Sequence, residues 1–209
     1  MNNQALEEVL RTIPIISGMV TNDEVSHILN YLYKTIENNV PGDIVELGCN
    51  VGTTSLFIRR LMDETKTNKK FFVYDSFEGL PEKTIQDQNT TQRQFVQGQC
   101  KTSLETFKSN FAKYGLKEPK INVGWFKEID DALYPEKISF AFFDGDFYTS
   151  IMDSFEKVYH KLSPGAALLI HDYGWEVLPG VENACNEFLK DKPEKVQVLG
   201  QKLGVLIKK

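Results

Sequence analysis

Short apolar runs alternate along the chain with longer segments in which apolar residues recur every three or four positions. The apolar runs predict strands at 43–49, 70–75, 120–126, 138–144 and 166–171. The periodic segments predict helices at 102–114, 149–162 and 179–191. Strands that alternate with helices are typical of a parallel sheet with helices on both faces, so we predict a doubly wound α/β fold.

Turn and capping residues indicate where several of these elements begin and end. Thr102 and Glu105 form a candidate capping box at the start of one helix, and a Ser-Pro-Gly sequence at 163–165 is a strong breaker after the next. Residues 195–199 and 203–207 flank a short turn and predict an antiparallel hairpin. The whole pattern predicts a sheet of seven, mostly parallel strands that ends in this hairpin.

Two segments fall outside the alternation of strands and helices. Residues 85–99 are rich in glutamine and predict a long polar loop. Residues 1–40 show helical periodicity, with apolar side chains at Val25, Ile28, Leu29, Leu32 and Ile36. We expect residues 1–40 to form an N-terminal helical cover that packs against the sheet or covers the site, and 41–209 to form the main domain of one globular unit.

Length and composition are those of an ordinary folded protein. The 209 residues suffice for one domain with its own core, and 41% of them are hydrophobic. The net charge is −5 and no basic run exceeds two residues, unlike a nucleic-acid-binding surface. No apolar stretch approaches the roughly 20 residues that span a bilayer, and the N-terminus does not have the pattern of a signal peptide. We therefore expect a cytoplasmic protein that binds neither nucleic acid nor membrane.

A glycine turn follows the first predicted strand, in the sequence DIVELGCNVGTTS at 43–55. In a doubly wound sheet such a turn lies at the edge where ligands bind, and its glycines allow close approach to the backbone. The GxxxG spacing does not include the third glycine of dinucleotide folds, which disfavours NAD. The carboxylate before the turn suits an amino or ammonium group. We assign cofactor binding to Glu46, Gly48, Gly52 and Ser55. The alternative is a plain tight turn with a solvated glutamate.

An acidic residue, Asp75, also ends the second predicted strand, where a ribose diol would donate two hydrogen bonds to it. We include Asp75 and the adjacent Ser76 among the cofactor-binding residues, although this position does not discriminate between dinucleotide and other nucleoside cofactors. Asp75 as a turn or helix cap is the alternative. Trp125, after the third strand, is a candidate to lie against a flat purine, with a core or lid aromatic as the alternative.

The ends of the fourth and fifth predicted strands carry a cluster of polar residues, in FFDGDFY at 142–148 and IHDY at 170–173. Adjacent strand ends bring Asp144, Asp146, His171 and Asp172 to one edge of the sheet. Converging carboxylates suit a hard divalent cation. The alternative is that Asp146 and Asp172 cap a helix and a turn.

These strings together resemble the macrocin and mycinamicin O-methyltransferase family, whose members methylate hydroxyls of sugar-bearing natural products with S-adenosylmethionine (SAM). The matching strings are PGDIVELGCNVGTTS (41–55), YDSFEGLPE (74–82), GWF (124–126), FFDGDFYTSIMDSFEKVYHKLSPGAALLIHDY (142–173) and PGVENACNEF (179–188). They extend over most of the chain from residue 41. The resemblance implies a Rossmann-like methyltransferase fold, SAM as cofactor, a small-molecule acceptor with a hydroxyl group, and a homodimer.

The resemblance also implies roles for the acidic cluster. Asp144 and Asp172 match metal ligands, with magnesium as the expected ion, and Asp146 matches the general base. At His171 the family usually has aspartate. A histidine there can be a ligand that favours manganese, iron or zinc, can act as the base itself, or can mark weak or lost metal dependence.

We therefore predict a SAM-dependent, metal-assisted O-methyltransferase that acts on a hydroxyl of a sugar or another diol-bearing small molecule. Two alternatives remain open at this point. One is an NAD-dependent oxidoreductase, and the other is a catalytically silent SAM-binding protein.

Overall fold

The structure is a computed structural model that describes residues 3–88 and 95–209. The helices are α1 (Asn3–Thr12), α2 (Asn22–Glu37), α3 (Thr53–Glu64), α4 (Leu104–Lys113), α5 (Tyr148–Val158) and α6 (Pro179–Phe188). The strands are β1 (Asp43–Leu47), β2 (Phe71–Asp75), β3 (Lys120–Val123), β4 (Ile138–Phe143), β5 (Leu162–His171), β6 (Gln197–Leu199) and β7 (Leu203–Ile207). Single turns of 3-10 helix lie at Ile85–Asp87, Asp131–Leu133 and Tyr159–Lys161.

The strands form one sheet in the order β3-β2-β1-β4-β5-β7-β6. Strands β1 to β5 are parallel, whereas β7 is antiparallel to both β5 and β6. The predicted α/β sheet of seven, mostly parallel strands with a C-terminal hairpin is confirmed. Its strand order reverses between β1 and β4, and open α/β sheets bind ligands at the carboxyl ends of strands that flank such a reversal.

Two apolar cores lie on the two faces of the sheet, and β4 contributes to both. Phe140 and Phe142 belong to one core, while Ala141 and Phe143 belong to the other. This alternation follows from the two-residue period of a strand, and because both faces are covered, the strand is a continuous apolar run in the sequence.

The N-terminal segment is built into one of these cores. Val25, Ile28, Leu29 and Leu32 of α2 are completely buried there, in the same cluster as residues of β1, β2, β4 and β5. The burial of each such side chain contributes roughly 1.5–3 kcal/mol. Helix α2 therefore packs against the sheet, which places its first turn near the carboxyl end of β5.

Several predicted element ends differ from the structure, and the following differences have a visible physical cause. Helix α4 is capped by Ser103, whose hydroxyl accepts the Thr106 N–H at 3.1 Å, rather than by Thr102. Helix α5 begins at Tyr148, because the Asp87 carboxylate accepts the Tyr148 N–H at 2.7 Å and so supplies a cap from a distant loop. Helix α5 ends at Val158 rather than at 162 and β5 begins at Leu162 rather than at 166, so the Ser-Pro-Gly sequence predicted to separate them lies within β5, at a shift in its pairing with β4.

The predicted polar loop at 85–99 is described in part. Residues Ile85–Asp87 form a single 3-10 turn, and Gly98 N–H donates to the Leu80 carbonyl at 2.9 Å. The glutamines at 92 and 94 lie outside the described residues. Within the described ranges, none of the helices combines the length and apolar character that crossing a bilayer requires.

Candidate functional site

A cleft lies at the carboxyl edge of the sheet, where β1, β2 and β4 end. It is bordered by Gly48, Asp75, Ser76, Trp125, Asp144 and Asp146, which are six of the predicted site residues, and also by Met19, Asn50, Cys100 and Ser150. The structure thus brings together residues from four separate predicted motifs. A smaller adjoining cavity is bordered by Glu46, and both cavities are bordered by Met19, Gly48, Asn50 and Asp144.

The cleft and the adjoining cavity enclose little empty space. The cleft measures about 70 Å³ and the adjoining cavity about 20 Å³, against roughly 300 Å³ or more for typical small-molecule sites. Met19 borders both cavities. A ligand that occupies either cavity would therefore contact Met19.

The glycine turn after β1 is shaped by a close backbone contact. Gly48 has φ +87°, and a Cβ atom there would lie 2.0 Å from the Asp144 carbonyl oxygen. The ends of β1 and β4 meet at this point, where the Asp144 N–H donates to the Leu47 carbonyl at 2.8 Å. Gly52 caps α3 with φ +89°. Gly48 borders the cleft, whereas Gly52 borders neither cavity.

Glu46 and Ser55 lie behind this turn and contact each other. Glu46 is 1% exposed, Ser55 is completely buried, and the Ser55 hydroxyl donates to the Glu46 carboxylate. Burial, together with the Asp144 and Asp75 charges, raises the pKa of Glu46 well above its usual value despite that hydrogen bond. Glu46 reaches only the small adjoining cavity, and Ser55 borders neither that cavity nor the cleft.

Asp75 borders the cleft while it organises the surrounding backbone. Its Oδ2 accepts the Cys49 and Asn50 N–H groups, both at 2.8 Å, and its Oδ1 accepts the Phe77 N–H at 2.7 Å. A carboxylate offers about four lone-pair sites, so these three bonds leave about one for a ligand. The bond from the Phe77 N–H is the turn cap considered as an alternative role for Asp75. Asp75 therefore caps this turn and also borders the cleft.

The predicted metal ligands converge at the ends of β4 and β5. His171 Nδ1 lies 2.9 Å from Asp144 Oδ1 and 3.2 Å from Asp172 Oδ2. Donor atoms of these three residues all lie within 4.8 Å of one another. His171 and Asp172 are buried, at 4% and 3% exposure, while Asp144 is half-buried and reaches the cleft.

Two further residues complete this cluster, and sequence reasoning missed both. Glu24, in the first turn of α2, places Oε1 3.4 Å from His171 Nε2. Lys202, in the turn before β7, places Nζ 3.1 Å from Asp172 Oδ1 and 3.8 Å from Glu24 Oε1. Glu24 occupies the last position of a Thr-Asn-Asp-Glu capping box, a local signal that accounts for its helix and says nothing of a distant histidine.

The charged groups of the cluster change one another's pKa values. Burial alone would lower the pKa of His171, but the Asp144 charge and hydrogen bonds to the surrounding carboxylates raise it well above its usual value. Burial would raise the pKa of Glu24, but the nearby His171 ring and the hydrogen bonds from Thr21 lower it to about 2. Burial and the neighbouring charges of Asp144 and Asp172 raise the pKa of Asp146 well above its usual value.

Several residues around the cleft adopt left-handed backbone conformations. Asn50, Asp146 and Asp172 have φ values of 47°, 58° and 56°, and Phe77 and Cys100 have 59° and 63°. For residues other than glycine such conformations are uncommon, and they cluster at functional sites where the surrounding structure holds them. Asp172 directly follows β5, and Asp146 lies three residues after the end of β4.

A family model described as "Macrocin-O-methyltransferase (TylF)" matches residues 9–198 of the chain. A tetracenomycin-C rhamnosyl 4'-O-methyltransferase of Streptomyces olivaceus is 33% identical over 171 residues, which cover 78% of this chain and 62% of the relative. Mycinamicin III 3''-O-methyltransferase of Micromonospora griseorubida is 28% identical over 178 residues, which cover 81% of this chain and 69% of the relative. The chain thus spans about two thirds of the length of these relatives.

Solved structures show the same fold. The O-methyltransferase NovP superposes with a TM-score of 0.79 at 24% identity, covering 90% of this chain and 81% of NovP. The calicheamicin methyltransferase CalS11 superposes with a TM-score of 0.70 at 18% identity, covering 98% of this chain and 90% of CalS11. The predicted Rossmann-like methyltransferase fold is therefore confirmed.

Proposed function

The chain belongs to the macrocin O-methyltransferase family, and from that premise we propose that it transfers the methyl group of SAM to a hydroxyl of a sugar or sugar-bearing small molecule. The observation that carries the proposal is the convergence of Asp144, Asp146, His171 and Asp172 beside a cleft at the reversal of strand order. The names of two relatives support a sugar hydroxyl: one methylates a rhamnosyl tetracenomycin, and CalS11 is also described as a TDP-rhamnose 3'-O-methyltransferase.

We assign the SAM site to the cleft. Gly48 allows the ligand to approach the end of β1, and Asp75 and Ser76 lie at the end of β2, where a ribose would be held. Trp125 borders the same cleft and offers a flat apolar face for the purine. Glu46 and the buried Ser55 support the turn from behind, and Gly52 starts the helix that follows it.

The cluster of Asp144, His171 and Asp172 fits a divalent cation. In an octahedral site with bonds of about 2.1 Å, adjacent donor atoms lie about 3.0 Å apart. The distances from His171 Nδ1 to the two carboxylates, 2.9 and 3.2 Å, agree with such adjacent positions. Two carboxylates suit magnesium, and the imidazole shifts the preference toward manganese, iron or zinc. A cation bound there would lower the pKa of a coordinated acceptor hydroxyl.

The general base that we assign is Asp146. Its side chain borders the cleft, whereas His171 is 4% exposed with carboxylates near both ring nitrogens. The acceptor oxygen attacks the SAM methyl carbon, the carbon–sulfur bond breaks with its electron pair on sulfur, and the hydroxyl proton passes to Asp146. A raised pKa suits this role, because a base accepts a proton best when its pKa lies near the working pH.

The substitution Asp146→Asn tests this assignment. We expect kcat for S-adenosylhomocysteine formation with a panel of sugar acceptors to fall about 10²–10⁴-fold, because general base catalysis is lost. Calorimetric affinity for SAM should change little, since Asn keeps the size of the side chain. The matched control is Asp153→Asn, on α5 away from the cleft, which should leave kcat unchanged.

Three results would contradict the proposal. An Asp146→Asn variant with wild-type kcat would remove the base assignment. SAM binding without turnover on any sugar or diol acceptor would favour a silent binding protein, and tight NAD binding without SAM binding would favour an oxidoreductase. The homodimer implied by the family resemblance stays a prediction, which sedimentation velocity tests.

A further inference from the structure

The two carboxylate oxygens of Glu24 contact different groups. Oε2 accepts the Thr21 N–H and the Thr21 hydroxyl, both at 2.8 Å, which closes the capping box of α2. Oε1 lies 3.4 Å from His171 Nε2 and 3.8 Å from Lys202 Nζ. The side chain is 8% exposed. A cap needs only one of these oxygens, so the contact with His171 is additional to the local role.

The contact bears on the proton that a neutral His171 keeps once a cation occupies Nδ1. With the proton on Nε2, the N–H faces the Glu24 carboxylate and the Nδ1 lone pair faces Asp144 and Asp172. Without a cation, a proton on Nδ1 can be donated to Asp144 at 2.9 Å, so the tautomer with the proton on Nε2 is favoured when a cation takes the place of the Nδ1 proton. A carboxylate behind a histidine generally orients the ring and raises its basicity toward a metal.

The charges around the His171 ring are consistent with a neutral imidazole and one bound divalent cation. Glu24, Asp144 and Asp172 supply three carboxylates, and Lys202 supplies one ammonium group, 3.1 Å from Asp172 Oδ1. A neutral His171 and one divalent cation would balance the remaining two negative charges. Asp172 Oδ1 and His171 Nε2 are buried, and neither makes a hydrogen bond of good geometry within the described parts of the chain.

We propose that Glu24 is a positioning residue that holds the proton of His171 on Nε2, so that Nδ1 is free to bind a divalent cation together with Asp144 and Asp172. This inference rests on the metal site of the proposed function. It also assigns part of the site to α2, an element that packs in the core and borders neither cavity of the cleft.

The substitution Glu24→Gln separates the two tasks of the side chain. Glutamine can also close a capping box, so α2 keeps its cap while the negative charge behind His171 is removed. We expect the affinity for Mn²⁺, measured by titration calorimetry and electron paramagnetic resonance, to fall about 10- to 100-fold. In ¹⁵N-edited spectra of the Zn²⁺-loaded protein, the His171 Nε2–H signal of the wild type should be lost or shifted in the variant.

Thr21→Ala is the matched control, because it removes the hydroxyl partner of Oε2 and leaves Oε1 in place. It should lower Tm by about 2–4 °C through the weaker cap and leave Mn²⁺ affinity within about twofold. If Glu24→Gln binds Mn²⁺ as tightly as the wild type, or if Thr21→Ala weakens binding equally, the positioning role is wrong.

Asp144→Asn distinguishes failure of this inference from failure of the metal site. Wild-type binding that Asp144→Asn abolishes establishes the site, and an unaffected Glu24→Gln then overturns the role of Glu24 alone. If the wild type binds no Mn²⁺ while it still forms S-adenosylhomocysteine from SAM, the metal part of the proposed function falls together with the role of Glu24. Methyl transfer itself then stands.

Discussion

At Gly48 the backbone leaves room for a hydrogen atom and nothing larger. Its φ of +87° belongs to the left-handed region, and a Cβ would lie 2.0 Å from the Asp144 carbonyl oxygen. The contact is with backbone, so no side chain can rotate away to relieve it. A substitution here must separate the ends of β1 and β4, which carry the glycine turn and the first acid of the cluster.

We expect Gly48→Ala to lower the free energy of unfolding by about 2–4 kcal/mol, because the left-handed conformation and the clash add together. Urea denaturation measures the change. Gly115→Ala is the control, since Gly115 has φ +64° and a Cβ there would meet nothing within 4 Å, and it should cost about 1 kcal/mol. Equal losses in the two variants would show that the contact with Asp144 adds nothing.

The acidic residues of the site show how far a functional residue can be predicted from its position in the sequence. The positions of Asp144, Asp146 and Asp172 at strand ends predict a shared edge, and the structure brings them to one edge. Glu24 and Lys202 were missed, because each contacts the cluster from an element distant in sequence. No local pattern encodes that contact, since it depends on how α2 and the final hairpin pack.

At the scale of elements, the turn at Ile85–Asp87 is tied to the start of α5 by one side chain. Asp87 is 2% exposed; its Oδ2 accepts the Thr84 N–H at 2.8 Å, and its Oδ1 accepts the Tyr148 N–H at 2.7 Å. Gly180, at the start of α6, packs against the same carboxylate, since a Cβ there would lie 1.7 Å from Oδ1. Three segments therefore meet at Asp87.

We expect Asp87→Ala to reduce the free energy of unfolding by about 2–3 kcal/mol, because it leaves two partly buried N–H groups without this partner. Chemical denaturation measures the loss. Asp87→Asn keeps one acceptor oxygen and should lose less. The control Asp130→Ala removes an exposed cap, whose Oδ1 accepts the Ala132 N–H at 2.9 Å, and should cost below about 1 kcal/mol. If Asp87→Ala costs no more than this control, the tie between the segments is unimportant.

The ends of elements are predicted less well than the elements themselves, because an end can depend on a contact with a residue distant in sequence. The start of α5 depends on Asp87, which lies 61 residues away along the chain. The Ser-Pro-Gly sequence at 163–165 lies inside β5, where the pairing with β4 skips from Leu162 to Ala167 and Gly165 has φ +83°, so its turn preference produces an irregularity within the strand. Apolar periodicity, by contrast, locates the strands and helices themselves, because it reflects the faces that each element buries.

For the molecule as a whole, stability should depend on pH through the C-terminal end of the sheet. Glu194 is 2% exposed and accepts hydrogen bonds from the Tyr159 hydroxyl, from Lys208 Nζ at 2.7 Å and from the Lys209 N–H at 3.0 Å. Burial would raise the pKa of Glu194, but the hydrogen bonds from Lys208 and Tyr159 lower it to about 2. These hydrogen bonds link Lys208 and Lys209, which follow β7, to Glu194.

A carboxylate whose pKa is lower in the folded state contributes stability above its unfolded pKa and loses that contribution as the pH falls toward its folded pKa. We therefore expect the free energy of unfolding of the wild type to exceed that of Glu194→Gln at pH 7, and the difference to shrink between pH 4.5 and about 2. Urea titrations across this range measure it. A difference that stays constant with pH would contradict the role of the ionised carboxylate.

The sequence by itself determined the α/β class, the strand and helix pattern, the C-terminal hairpin and the acids at the strand ends, because burial periodicity and strand-end position are local properties of the chain. Tertiary structure alone decided the strand order, the contact of Gly48 with Asp144, and the enclosure of His171 by Glu24, Asp144 and Asp172. Such contacts join residues far apart in sequence, and packing of helices on the sheet brings their charges close enough to change one another's protonation.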